Sequence, residues 1–286
     1  MRFNKEIVMG FIIVFFISFP LFAKPIQQGN GKYTVMLDGT ALDIFTYKPN
    51  CPIKSILLVF HGNARNAKTY RNSVRNLGDN LCALVVAPLF DQKRFPGWRY
   101  QRGGIIHQSS LQKSDKWTGQ LILELVAWVR KQEGQSLPYA LIGHSAGSQF
   151  LSRFAAFTPN EATHIIMANP STYVFADLKI KAPYGMGGIY PSQIAESQLK
   201  RYLATPITIL LGQEDVTDKA LNESHAALLQ GRYRYDRGEN VFHAAEILAQ
   251  KNHWTFNWQL IVVPGVGHDA KKMFLSPLTT KALGTD

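Results

Sequence analysis

Cysteine is scarce in this chain, and acidic side chains are outnumbered. There are two cysteines, and 20 Asp and Glu stand against 31 Lys and Arg. Two cysteines cannot make a disulfide-stapled miniature fold or a four-cysteine zinc site. No P-loop, dinucleotide fingerprint or zinc-spaced histidine pair occurs, so neither cofactor nor metal is expected. After the first 23 residues no run is apolar enough to span a bilayer. Internal repeats and low-complexity linkers are missing too, which argues against solenoids and tethered modules.

What is present is a chain of 286 residues, 46% hydrophobic and 18% charged. That suits one large domain, expected over residues 24–286. Residues 1–23 read as a signal peptide. Arg2 and Lys5 open it, Ile7 to Ile17 is apolar apart from Gly10, Pro20 breaks it, and cleavage is expected near Ala23. The protein is therefore expected to be exported, either periplasmic or secreted. Of the formal charge of +11, Arg2, Lys5 and Glu6 supply +1, leaving +10 on the remainder. Such a surface favours weak association with anionic envelope material, while no nucleic-acid motif is present. Cys51 and Cys82 each precede an apolar run. Parallel neighbouring strands would put both at one end of a sheet, where they could pair.

Buried-strand and helix patterns alternate along the chain. Residues 33–37 and 41–48 flank Asp38-Gly39, a hairpin signal. The runs 55–60, 83–89, 139–143, 163–168, 207–211 and 258–263 read as strands, most of them continuously apolar, as in a parallel sheet covered on both faces. Helical spacing predicts helices over 67–80, 117–133, 147–157, within 218–251, and over 269–275. The stretches 91–116 and 169–205 read as loop-rich insertions. The expected class is α/β.

The most informative motif is Gly143-His144-Ser145-Ala146-Gly147, which follows a strand and opens a helix. The glycines permit a sharp turn that would lift Ser145 from the sheet as a nucleophile. His144 is expected to turn away from it. A serine needs a base, and the base needs a carboxylate. His268 fits as base: it follows the late strand and the Gly265-Val266-Gly267 turn, whereas His225, His243 and His253 lie in helical stretches. Asp215 fits as the acid after strand 207–211. Asp218 is the alternative, and Glu214 and Asp177 are further ones. The amides of Ala146 and of Asn63 or Ala64, after His61-Gly62, are the oxyanion-hole candidates. Insertions at the rim supply candidate substrate contacts at Trp98, Tyr100, Tyr173 and Tyr184, and Arg65 could bind an acidic substrate.

The combination HGN, GHSAG, GQED and GVGHD resembles the α/β-hydrolase-fold serine hydrolases over about residues 30 to 280. More narrowly, HGNARNAKTYR, APYGMGG and FNWQLIVVPGVGHD are similar to exported esterases related to polyhydroxyalkanoate depolymerases and feruloyl-type esterases. The resemblance implies a Ser145, Asp215 and His268 triad that cleaves a small-molecule or oligomeric ester. It leaves substrate and oligomeric state open. Two alternatives remain: an amidase or peptidase with the same residues, and a non-catalytic binding protein on this scaffold.

Overall fold

A computed structural model describes residues 24–284. The expected signal peptide, residues 1–23, lies outside the described residues. Strands β1 (Gly29–Leu37) and β2 (Thr40–Lys48) form the hairpin around Asp38-Gly39. Next come β3 (Ser55–Phe60), helices α1 (Ala67–Ser73) and α2 (Arg75–Leu81), and β4 (Ala83–Pro88). A small ribbon, β5 (Ile106–His107) and β6 (Ser110–Leu111), precedes α3 (Thr118–Glu133), β7 (Tyr139–His144), α4 (Ala146–Phe157) and β8 (His164–Ala168). The chain continues through α5 (Ser192–Ala204), β9 (Ile207–Gly212), α6 (His225–Leu228), α7 (Arg234–Asn252), β10 (Gln259–Val263), α8 (Ala270–Leu275) and α9 (Pro277–Ala282).

Eight strands form one sheet in the order β1-β2-β4-β3-β7-β8-β9-β10. The two pairings made by β2 are antiparallel, and every pairing from β4 to β10 is parallel. Successive strand residues face opposite sides, and β3 shows why its run is unbroken. Ile56, Leu58 and Phe60 join a core roofed by α3, α4, α5 and α7. Leu57 and Val59 join a second core under α1, α2, α8 and α9. Each such fully buried side chain contributes about 1.5–3 kcal/mol relative to exposure. Both faces must therefore be apolar, and alternation disappears.

Two expectations of local structure change. The single helix expected over 67–80 is two helices, broken at buried Val74 (φ −110°, ψ 12°). Residues 169–205, expected to be loop-rich, end in the 13-residue helix α5. Its inward face consists of Leu199, Tyr202 and Leu203. That apolar signal is too short to stand out from its polar neighbours and the glycines and prolines before it. The two cysteines, whose pairing the sequence left open, are bonded: Cys51 precedes β3 and Cys82 precedes β4, its parallel neighbour.

Candidate active site

The turn from β7 to α4 is built by two glycines. A Cβ on Gly143 would meet the carbonyl carbon of Gly147 at 2.8 Å, and one on Gly147 would collide with the Phe60 carbonyl. This closeness forces Ser145 into φ 56°, ψ −115°, a left-handed conformation costly for a non-glycine residue. The Ser145 amide donates to the Ala168 carbonyl at the end of β8 (3.0 Å), which holds the strained residue.

Three distant segments meet here. Ser145 Oγ lies 3.1 Å from His268 Nε2, and His268 Nδ1 lies 2.7 Å from Asp215 Oδ2. Asp215 is 1% exposed. Its second oxygen, Oδ1, accepts from Arg234 Nη1 at 3.2 Å. Asp218 is exposed, Glu214 is exposed, and Asp177 accepts from the Lys179 amide, so none of these takes the place beside His268. A hydroxyl, an imidazole and a buried carboxylate in this order can pass the serine proton to nitrogen and stabilise the resulting imidazolium.

The loops carrying acid and base are stitched together. The Glu214 amide donates to the Val266 carbonyl at 2.9 Å. Asn169, fully buried in a left-handed conformation, accepts from the Gly212 amide (2.8 Å) and donates to the Gly267 carbonyl (3.2 Å). One amide side chain thus ties the end of β9 to the residue before His268. Neither Asn169 nor Arg234 was read from the sequence as a site residue. An asparagine after a strand and an arginine in a helix carry no local pattern that reveals such partners.

His144, expected to turn away from Ser145, is buried. Its ring packs 4.5 Å from that of His268, and its Nδ1 lies 3.2 Å from the Tyr70 hydroxyl. Burial, with the nearby His268 and Arg234 charges, holds His144 well below the usual histidine pKa. His61, after β3, has its pKa lowered to about 4 by burial. It is neutral, and its Nε2 accepts from the Phe90 amide at 3.1 Å. Its Nδ1 therefore donates to the Gly62 carbonyl, at 2.9 Å, which fixes the turn beside Ser145.

A cavity of about 210 Å³ opens beside Ser145, bordered by Asn63, Gln101, Arg102, Ala146, Gln149 and Asn222 among others. Asn63 and Ala146 lie on it. Ala64 is exposed and does not border it. The first amides of a helix have no partner within it, so Ala146 is free to donate. A larger groove of about 520 Å³ lies between α5, α7 and residues 175–179, but it does not touch Ser145.

The four rim aromatics require correction, since none borders the cavity. Tyr100 is fully buried, stacked on Phe90 and Phe150 with its hydroxyl donating to the His61 carbonyl. Tyr173 is fully buried. Trp98 is half-buried and stacks on His107 at 4.0 Å. Tyr184 points its hydroxyl at Ser224 and Asn222. Aromatic content in a rim loop signals that the loop must be packed as readily as that it binds something.

Comparison with known proteins agrees with this architecture. The poly(3-hydroxybutyrate) depolymerase LpqC from Bordetella parapertussis is 31% identical, with a TM-score of 0.81 over 87% of this chain and 88% of that one. Poly(aspartic acid) hydrolase-1 from Sphingomonas sp. KT-1 is 30% identical, with a TM-score of 0.83 over 90% and 98%. The fluorophosphonate-binding serine hydrolase FphF from Staphylococcus aureus shares the fold at 14% identity and a TM-score of 0.52, over 91% and 97%. No family model and no curated protein sequence matches the chain. The chain belongs to the α/β-hydrolase family of serine hydrolases that includes the first two of these proteins, and it is a hydrolase.

Proposed function

We propose that the protein is an exported serine hydrolase that cleaves carboxylic esters through an acyl-enzyme on Ser145. The observation that carries the reading is the relay from Ser145 Oγ through His268 to Asp215, at 3.1 and 2.7 Å. In this mechanism His268 removes the hydroxyl proton as Ser145 attacks the ester carbonyl. The amides of Ala146 and Asn63 hold the oxyanion, and each such donor contributes about 3–4 kcal/mol of transition-state stabilisation. His268 returns the proton to the leaving alcohol, and water then releases the acyl group by the same steps. Asp215 remains ionised throughout. The N-terminal pattern of residues 1–23 and the Cys51–Cys82 bond support action in an oxidising compartment outside the cytoplasm.

Purified protein should hydrolyse 4-nitrophenyl acetate or butyrate, and Ser145→Ala should lower kcat by about 10⁴-fold or more. Equal activity in that variant overturns the assignment. A fluorophosphonate probe should label Ser145, whereas a mere binding protein on this scaffold would stay unlabelled. Amide cleavage by the same residues is the second reading, favoured by the relative named as a poly(aspartic acid) hydrolase. Matched ester and anilide substrates separate the two.

A further inference from the structure

We propose that the cavity beside Ser145 receives an acyl group bearing a second, ionised carboxylate, held by Arg102 and by the amide hydrogens of Asn63 and Gln149. This rests on the serine-hydrolase reading above and names its substrate class.

The cavity is wired to present donors. Each side-chain amide has one oxygen to accept with and two hydrogens to donate, and the surrounding bonds decide which end is left for a ligand. On one side, Arg65 Nη2 donates to Gln101 Oε1 (3.3 Å), and Gln101 Nε2 donates to Asn63 Oδ1 (3.0 Å). The oxygen of Asn63 is taken, and its Nδ2 remains for the cavity. On the other side, Arg153 Nη2 donates to Thr172 Oγ1 (3.1 Å), whose hydroxyl donates to Gln149 Oε1 (2.9 Å). Again the oxygen is taken and Nε2 remains. The first chain begins at an arginine and runs through an amide, so it cannot run in reverse; in the second the Thr172 hydroxyl points its proton at Gln149 Oε1. Arg102, also on the cavity, is exposed and makes no ion pair among the described residues.

The charge behind the wall has the same sign. Arg153, Arg234 and Arg237 are each at most 1% exposed and bind carbonyls of the segments that form the wall. Arg153 holds Thr172, Arg234 holds Lys219 and Ala220, and Arg237 holds Ser171 and Asn222. One carboxylate, Asp215, pairs with this group. Glu223 and Asp236 stand near Arg237 without an ion pair to it among the described residues. Carbonyl ligation solvates the cations but does not cancel their charge, so a positive field reaches the cavity. A plain alkyl acyl group offers these donors no acceptor, and a cationic one would face Arg102. A carboxylate satisfies them.

The test compares 4-nitrophenyl hydrogen adipate with its neutral isostere, 4-nitrophenyl methyl adipate. The ratio of their kcat/KM values should favour the acid by about tenfold at low salt, through charge-assisted hydrogen bonds, and should shrink in 0.5 M NaCl as about 4 Å screening sets in. Arg102→Gln should bring the ratio close to one, and Arg102→Glu should invert it. Lys251→Gln, on the remote groove, should leave it as it was. A wild-type ratio of one, or a ratio unmoved by both Arg102 changes, overturns the proposal. A second arm needs no turnover: Ser145→Ala protein is titrated calorimetrically with monomethyl adipate and with dimethyl adipate. Tighter binding of the acid is expected, and equal or absent binding overturns the inference. Selective binding with no hydrolysis of any ester by the wild type would instead overturn the esterase reading alone.

Discussion

Arg234 donates to one oxygen of Asp215 while His268 occupies the other, at 3.2 and 2.7 Å, so the same buried carboxylate serves a permanent cation and a switchable one. The pair sits on α7 and on the turn after β9, with both side chains fully enclosed. Arg234 is also tied to the carbonyls of Lys219 and Ala220, which anchors the carboxylate to the cavity wall.

Replacing Arg234 by Gln removes a positive charge close to His268 and leaves Asp215 buried with one partner fewer. Stability should fall by about 3–5 kcal/mol, and kcat should fall as the carboxylate loses one of its two anchors. Arg234→Lys should restore part of the stability without restoring two-point anchoring. An unchanged kcat in a folded Arg234→Gln protein would show that the cation is structural only.

Asn169 connects the acid and base loops through Gly212 and Gly267. Asn169→Ala strands the buried Gly212 amide, at a cost of about 1–3 kcal/mol, and releases the half-buried Gly267 carbonyl. We expect kcat to fall more than KM changes, since His268 loses its fixed place while the cavity keeps its lining. Unchanged kcat in a folded variant would remove Asn169 from the positioning role.

His61 and His144 are both buried with pKa values below the usual range, that of His61 at about 4 against 6.5. As pH falls through 6.5 the unfolded chain takes up these protons first, so the folded state loses stability progressively down to pH 4 and gains none above 6.5. His61 alone accounts for about 3 kcal/mol over that window. Urea midpoints measured across it should slope accordingly, and the slope should be smaller in His61→Asn. A flat midpoint between pH 6.5 and 4 would contradict the burial of these rings.

The Cys51–Cys82 bond closes a loop with a sequence separation of 31 residues. In the chain-entropy picture its removal costs about 3–4 kcal/mol. The Cys51→Ser/Cys82→Ser protein should unfold at correspondingly lower denaturant, yet keep its relay, because the bond lies at the opposite strand ends from Ser145. Two titratable thiols in the denatured, unreduced wild type would show that the bond is not made.

The strands, the order of nucleophile, acid and base, and the glycine turn were legible in the sequence, because each depends on neighbours along the chain. Apolar runs report burial directly, and Gly143 and Gly147 report a close approach that no side chain would allow. The rim aromatics were legible only as residues needing cover. Nothing local distinguishes Tyr100, buried under His61, from a ring that greets a substrate.

Local pattern therefore settled the strands, most of the covering helices, Ser145 as nucleophile and His268 as base, and it narrowed the acid to a few candidates. Tertiary folding alone decided the rest: that Asp215 is the acid and Arg234 shares it, that Asn169 spans two loops, and that Arg65 orders the Gln101 and Asn63 amides at the cavity. Those relations join residues from about 20 to about 100 positions apart, and hydrogen-bond direction depends on where a partner ends up in space, which periodicity along a chain does not encode.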